Sequence, residues 1–225
     1  MTLGNTGIIV SARTASRRLP GKALLPLNGH PMVLFLLERL KPLRSGKLVF
    51  ATTDLASDDD LAGAVAKADV PVFRGSADDL VARHVAAAAA FGFDSVGRVT
   101  GDCPFVNAEM VDYCLDQAAG LAHFDLATTK TAFPVGLDIE LYPAPLMQRL
   151  HHEAKLTGEE REHLTLHLYR NGFDVRLLRP RTDWPATSQT FTVDTREDYE
   201  RAAGLAARFG GAEFSLADLL QRAAA

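Results

Sequence analysis

Four basic side chains crowd one short stretch of this chain. In "SARTASRRLPGKALLPL", residues 11 to 27, Arg13, Arg17, Arg18 and Lys22 follow directly on the apolar run "GIIV". Apolar residues that lead into Pro20-Gly21 and then into a fresh apolar stretch read as a strand entering an irregular loop. Backbone amides at such a strand-to-helix turn, with Arg13 and Lys22 converging on it, suit a polyphosphate. The plainer alternative is a solvated basic loop. "LPGKA" is not a P-loop of the ATPase type, because the first glycine is missing and Ala23 stands where Ser or Thr would follow the lysine.

Two carboxylates could complete such a site. "RVTGDCPFVN" ends a strand at Thr100-Gly101 and delivers Asp102 to the carboxyl edge of a sheet, where ligands of open α/β proteins bind. "TFTVDTREDY" places Asp194 just before a helix that Thr195 and Asp198 can cap. Taken singly, Asp102 reads equally as a turn acid, and Asp194 reads first as a simple helix-start acid. Together with a basic loop they form the set needed for metal-assisted transfer from a nucleoside triphosphate, because Mg²⁺ takes one or two carboxylates along with substrate phosphates. Arg74 in "FRGS" is either a further nucleotide contact or a turn arginine. His163 and His167, four apart, have the spacing of a zinc pair on one helical face. No third ligand accompanies them and Glu162 is wrongly placed for the metalloprotease pattern, so they read as helix-surface histidines. His151-His152 reads as solvated.

The elements that must position these residues follow from periodicity. Strands are expected near 7–12, 47–53, 70–74, 94–100, 123–129, 137–142 and 173–178, with helices between most of them. Alternating strand and helix predicts a parallel-dominated α/β sheet. "HPMVLFLLERL" puts Val33, Leu36, Leu37 and Leu40 on one helical face, with Pro31 suited to the first turn and Asn28-Gly29 making the turn before it. The acidic run Ser57 to Asp60 reads as a helix start, and Ser76 with Asp79 as a capping box ahead of an alanine-rich packing helix. "TGEEREHLTLHLYRNG" reads as one helix with a Thr157/Glu160 box and an Asn171-Gly172 end. Prolines 134, 143 and 145 interrupt the rhythm around 130–145, which predicts an insertion that forms an edge hairpin or a subunit contact. No linker, repeat or second domain is visible, so residues 1–225 read as a single domain.

Composition narrows the function classes. The chain of 225 residues is 47% hydrophobic and 23% charged, as in an ordinary globule, and its formal net charge of −4 argues against a general nucleic-acid binder. Cys103 and Cys114 match no zinc or redox spacing, which fits a reduced cytoplasmic setting. The polar "MTLGNTG" start lacks a signal-peptide pattern, and no stretch approaches membrane-span length. A dinucleotide oxidoreductase would need a glycine fingerprint near the first strand, and none is present.

The segments "IIVSARTASRRLPGKALLPLNGHPM", "ATTD", "VFRGSADD", "RVTGDCP", "GLDIE", "EREHLT" and "TVDTREDY" occur in an order that resembles the cytidylyltransferase-like proteins of spore-coat polysaccharide biosynthesis, relatives of the CMP-Kdo and CMP-acylneuraminate synthetases. The resemblance spans nearly the whole chain. It implies a nucleotide-diphospho-sugar transferase fold, a three-layer α/β/α sandwich, and a homodimer. It also implies Mg²⁺-dependent transfer of CMP from CTP to a sugar acid or similar small acidic acceptor in surface-glycan synthesis, with release of pyrophosphate.

By motif position, the resemblance implies that Ser11, Ala12, Arg13, Lys22, Arg74 and Asp102 contact the nucleotide. Arg13 and Lys22 would hold the triphosphate and, with Asp102, form the catalytic group, while Asp102 and Asp194 would bind the metal. "GLDIE" and "EREHLT" offer Asp138, Glu140, Arg161, Glu162 and His163 to the acceptor. The chain departs from the family pattern at Ser11, where glutamine or proline is commoner, at Arg17, at Leu166 and at Arg196. Other nucleotides as donor, a glycosyltransferase of the related fold, and a non-catalytic nucleotide-binding subunit are the alternatives.

Overall fold

The computed structural model describes residues 2–224. Its frame is a seven-stranded sheet in the order β5-β4-β1-β6-β8-β7-β9. The strands are β1 (Thr6–Ser11), β4 (Lys47–Thr53), β5 (Val72–Gly75), β6 (Ser95–Thr100), β7 (Leu126–Thr128), β8 (Glu140–Pro143) and β9 (Val175–Leu177). The remaining two, β2 (Pro26–Leu27) and β3 (His30–Pro31), form a small separate hairpin. Asn28 and Gly29 both have positive φ, 49° and 80°, as a tight two-residue hairpin turn demands.

Helices fill the connections: α1 (Met32–Leu40), α2 (Asp59–Ala66), α3 (Leu80–Phe91), α4 (Ala108–Ala119), α5 (Ala144–Glu153), α6 (Gly158–Glu162), α7 (Leu166–Arg170), α8 (Arg196–Ala206) and α9 (Leu216–Ala224). The middle of β1, Ile8, Ile9 and Val10, is apolar because it is buried on both faces. Its alternate side chains enter two cores. Ile8 and Val10 join α1, α2, α4, α8 and α9 in one, while Ile9 joins α3, α5 and α7 in the other. The protein is therefore an α/β/α sandwich, as the resemblance implies. The four residues assigned to the inner face of α1 are all fully buried.

β1 pairs in parallel with β4 on one side and β6 on the other. The helices that follow β1 and β4 lie on one face and the helix that follows β5 lies on the other, so the sheet changes winding direction between β1 and β6. In open α/β sheets ligands bind just beyond the carboxyl ends of strands at such a switch. The last residues of the two strands, Ser11 and Thr100, are register partners there.

Four local expectations are corrected. The 130–145 region contributes no edge hairpin: β8 is an interior strand, antiparallel to both β6 and β7. The "TGEEREHLTLHLYRNG" helix breaks at His163, whose φ of −111° and ψ of 83° leave helical space, so α6 and α7 are separate and His163 and His167 share no helical face. The run Ser57 to Asp60 is more than a solvated helix start, because Asp58 is 1% exposed. Its carboxylate accepts from the Thr14 amide and hydroxyl, both the Thr52 and Thr53 hydroxyls and the Thr53 amide. Burial alone would raise its pKa, but these donors hold it at about 2. Ser76 and Asp79 also divide the predicted box: Asp79 caps α3 through Ala82 N, and Ser76 accepts from the Asp79 amide. The boxes at Thr157/Glu160 and Thr195/Asp198 form as expected.

Candidate active site

The basic stretch leaves β1 as a loop that folds back on itself. Ser16 N and Gly21 N both donate to Thr14 O, and Gly21 takes φ of 70°, which glycine adopts without strain. Asp58 holds Thr14, so the loop is tied to the end of β4. Lys22 then begins a single 3-10 turn. Gly101, after β6, sits directly against this loop: its amide donates to Ser11 O, and a Cβ there would stand 2.6 Å from that of Ala12. A side chain at 101 would push the two loops apart.

A cavity of about 460 Å³ opens at this switch point. Ser11, Ala12, Arg13, Lys22, Asp102 and Asp194 all line it. At one end the Lys22 ammonium donates to Asp102 Oδ2 at 3.0 Å, Asp194 Oδ1 at 2.9 Å and Val193 O at 2.8 Å. Arg18 meets the other Asp194 oxygen at 2.8 Å. Burial draws the Lys22 pKa down, but the two aspartates outweigh it and hold the ammonium above the ordinary lysine range. Burial likewise pushes Asp102 up, and Lys22 outweighs that, keeping the carboxyl below its usual value. The segment that carries Asp194 is bound across the loops: Val193 N donates to Asp102 O at 2.8 Å, and Phe191 N to Val135 O at 2.7 Å.

Asp102 and Asp194 are two carboxylates flanking one cation position, and among the described residues no group of three or more His, Cys, Asp and Glu side chains could hold a metal. That donor set fits Mg²⁺ completed by substrate phosphates and does not fit a zinc centre. Cys103, beside Asp102, is 2% exposed, and burial raises its thiol pKa well above the ordinary range, so it is not poised as a nucleophile. Both cysteines are free.

The remaining predicted residues divide. Glu162 and His163 line the cavity, with Glu162 3.5 Å from Arg13. Arg74 does not. It turns to Thr53 O, Leu55 O and Asp59, and so ties β5 to the turn after β4. Arg161 pairs with Asp79, which fastens α6 to the start of α3. Asp138 accepts from the Gly136 amide at 2.8 Å, and burial raises its pKa. Glu140 lies behind the cavity wall, 2% exposed, with its carboxylate taken up by Arg98, Lys130, Thr165 and Tyr169. It holds Arg98 in place, and Arg98 itself lines the cavity.

Two arginines in the wall, Arg83 and Arg98, were not predicted from the sequence. Arg98 interrupts an apolar strand pattern in "SVGRVT", a signal that was available; Arg83 lies inside a helix whose periodicity marks it as ordinary. His84 was also missed. It is 1% exposed and bridges Ser11 Oγ, at 2.6 Å, to the Tyr142 hydroxyl, at 2.9 Å. The chemistry this geometry can do is the electrostatic handling of a polyanion: fixed cations over a cavity, with a carboxylate pair at one end.

Comparison with known proteins bears on the family and the fold. A family model described as Cytidylyltransferase matches residues 7–208. The spore coat polysaccharide biosynthesis protein SpsF of Bacillus subtilis (strain 168) is 32% identical over 212 residues, covering 90% of this chain and 86% of the relative. The solved cytidylyltransferase from Leptospira borgpetersenii serovar Hardjo-bovis superposes with a TM-score of 0.88 at 33% identity, over 96% of this chain and 92% of its own. The CMP:2-keto-3-deoxy-manno-octonic acid synthetase solved with CTP has a TM-score of 0.72 at 20% identity, over 91% and 99%, and so shares the fold.

Proposed function

The chain belongs to the cytidylyltransferase family, and from that premise we propose that it transfers CMP from CTP to a small acidic acceptor of the sugar-acid class, releasing pyrophosphate, in surface-glycan synthesis in the cytoplasm. The observation that carries the reading is the convergence of Lys22, Asp102 and Asp194 at one end of a cavity walled by Arg13, Arg83 and Arg98. Three segments far apart in sequence meet there, and each supplies a charge that triphosphate chemistry needs.

In this reaction the acceptor hydroxyl oxygen bonds to the α-phosphorus in line and gives up its proton to solvent, the bond between the α-phosphorus and the α,β-bridging oxygen breaks, and pyrophosphate leaves with that oxygen and the electron pair. Charge grows on the leaving oxygens, so fixed cations accelerate the step more than covalent participation would. Lys22 and Arg13 hold the triphosphate, and the cavity arginines attract an acidic acceptor. Asp102 and Asp194 would hold Mg²⁺, which when bound screens phosphate charge. Lys22 then exchanges its carboxylate partners for phosphate oxygens, a change its flexible stem permits. Glu162 and His163 are the proposed acceptor contacts that reach the cavity. The exposed Val135 segment is the proposed homodimer contact, which a light-scattering mass of one chain would exclude.

The test is thermal unfolding of the wild type and of Lys22→Ala with CTP, UTP, ATP and GTP, each with and without Mg²⁺. A ligand at about 100 times its Kd adds about 2.7 kcal/mol, a shift of several degrees. CTP with Mg²⁺ should stabilise the wild type most and the variant little. Equal stabilisation by all four triphosphates would overturn the base assignment, and none by any would overturn the reading.

A further inference from the structure

A histidine in contact with a serine beside a reaction cavity invites the reading of an activated nucleophile. The hydrogen-bond inventory at Ser11, His84 and Tyr142 decides against it. Tyr142 is 1% exposed, and among the described residues its hydroxyl has one partner, His84 Nδ1 at 2.9 Å. The other ring nitrogen, Nε2, lies 2.6 Å from Ser11 Oγ. Two neutral arrangements are open to this chain of three. In the first, Tyr142 donates to Nδ1, Nε2 carries the ring proton and donates to Ser11 Oγ, and the Ser11 hydroxyl hydrogen is left to point elsewhere. In the second, Ser11 donates to Nε2, Nδ1 donates to the Tyr142 oxygen, and the Tyr142 hydroxyl hydrogen is stranded in the core.

A stranded buried donor disfavours the second arrangement by roughly ten- to a hundredfold. A doubly protonated ring strands the same hydrogen, and it is further opposed by complete burial and by the nearby Arg98 and Arg83 charges, which draw the His84 pKa well below its ordinary value. In the surviving arrangement Nε2 cannot take a proton from Ser11, which is what a general base for a serine nucleophile must do. The one place for the Ser11 hydrogen is the cavity that Ser11 lines, since the protein offers its hydroxyl no other partner among the described residues.

We propose that Tyr142, His84 and Ser11 form a one-way donor chain that fixes the Ser11 hydroxyl as a hydrogen-bond donor to an acceptor atom of the bound nucleotide. The identity of that ligand rests on the function proposed above; the proton order does not. Ser11 is a binding residue in this account, and His84 and Tyr142 are positioning residues that act through it. A donor held from behind discriminates more sharply than a freely rotating hydroxyl, because it cannot turn round to satisfy a ligand that presents a donor of its own.

Long-range ¹H–¹⁵N spectra of the unliganded wild type, with His84 assigned through its own side-chain protons, read the proton order directly. Nε2 should give the protonated resonance and Nδ1 the unprotonated one, and Tyr142→Phe, which removes the only donor to Nδ1, should bring the opposite tautomer into the spectrum. The reverse pattern in the wild type, or two protonated nitrogens, overturns the chain whether or not CTP binds. Calorimetric titration then tests its far end: Ser11→Ala should weaken CTP roughly three- to tenfold. Affinity equal to that of the wild type overturns the donor role, whereas a wild type that binds no CTP refutes the functional reading and leaves the tautomer result standing. With inorganic tripolyphosphate as a second probe, a loss shared by both ligands puts the acceptor atom on the phosphate chain, and a loss confined to CTP puts it on the nucleoside.

Discussion

Replacing Glu140 by glutamine keeps the shape of the side chain and removes its charge. In the wild type the carboxylate accepts from Arg98 Nη1 at 2.6 Å, Lys130 Nζ at 2.8 Å, and the Thr165 and Tyr169 hydroxyls at 2.9 Å each. Burial alone would raise its pKa, but Arg98 and Lys130 outweigh burial and bring it from 4.5 to about 2. That fall corresponds to about 3 kcal/mol of stability at neutral pH. For a chain of this length Glu140→Gln should therefore melt roughly 6–12 °C lower. The sign gives the pH window. A carboxylate held below its unfolded value stabilises the fold above the unfolded pKa, and that contribution is lost as pH falls through the folded one. The gap between wild type and variant should thus stay constant from pH 7 to about 5.5 and close progressively below about 4.5. Scanning calorimetry of both proteins from pH 7 to 2.5 measures it. A variant that melts within about 2 °C of the wild type at pH 7, or a gap undiminished at pH 3, would refute the claim that Glu140 is a charged anchor for Arg98.

Other substitutions probe the parts around that anchor. Asp58→Ala strands the donors of Thr14, Thr52 and Thr53, so it should cost about 3 kcal/mol in urea unfolding; a loss below about 1 kcal/mol would mean those groups find other partners. Asp194→Asn leaves the Thr195/Asp198 capping box intact and should keep the melting temperature within a few degrees while lowering CTP-dependent pyrophosphate release by at least roughly 100-fold. A near-normal rate would remove Asp194 from the chemistry. Gly136→Ala forces a side chain into φ of 89° and against the backbone of Phe191 and Thr192, so it should destabilise by about 2 kcal/mol or more, and an unchanged melting curve would contradict the contact.

The strands of the sheet were legible to within a few residues because their apolar runs are bounded by glycine, proline and acidic clusters. β1 and β4 could be read almost residue by residue. The order of those strands was not legible. Nothing local to "DIELYP" says that it enters the sheet backwards between β6 and β7; the prolines suggested an edge because they remove ladder donors, yet Pro143 lies at the strand end, where that loss is tolerated. The same distinction runs through the site. Lys22, Asp102 and Asp194 could be found because each closes a recognisable strand-to-loop or loop-to-helix motif. Arg74 and Arg161 were misdirected because an arginine's partner is chosen by whatever carboxylate or carbonyl the tertiary fold brings near, here Asp59 and Asp79. His84 was invisible for a related reason: its two partners come from residues 11 and 142, and one helix turn carries no trace of either.

The strap at 190–194 has a consequence for how the molecule comes into being. Lys22 and Asp194 are 172 positions apart, so the contact between them closes nearly the full length of the chain. β1, β4 and β6 can pair once the first hundred residues exist, and at that stage the basic loop has one carboxylate and no strap. A chain emerging in order from the ribosome therefore builds its scaffold first and its charge balance last. Until residue 194 is out, Arg18 lacks its carboxylate partner and Lys22 has Asp102 without Asp194. In chain order the 190–194 segment is the last of the loop's carboxylate partners to arrive, after Asp58, Asp102 and Glu162.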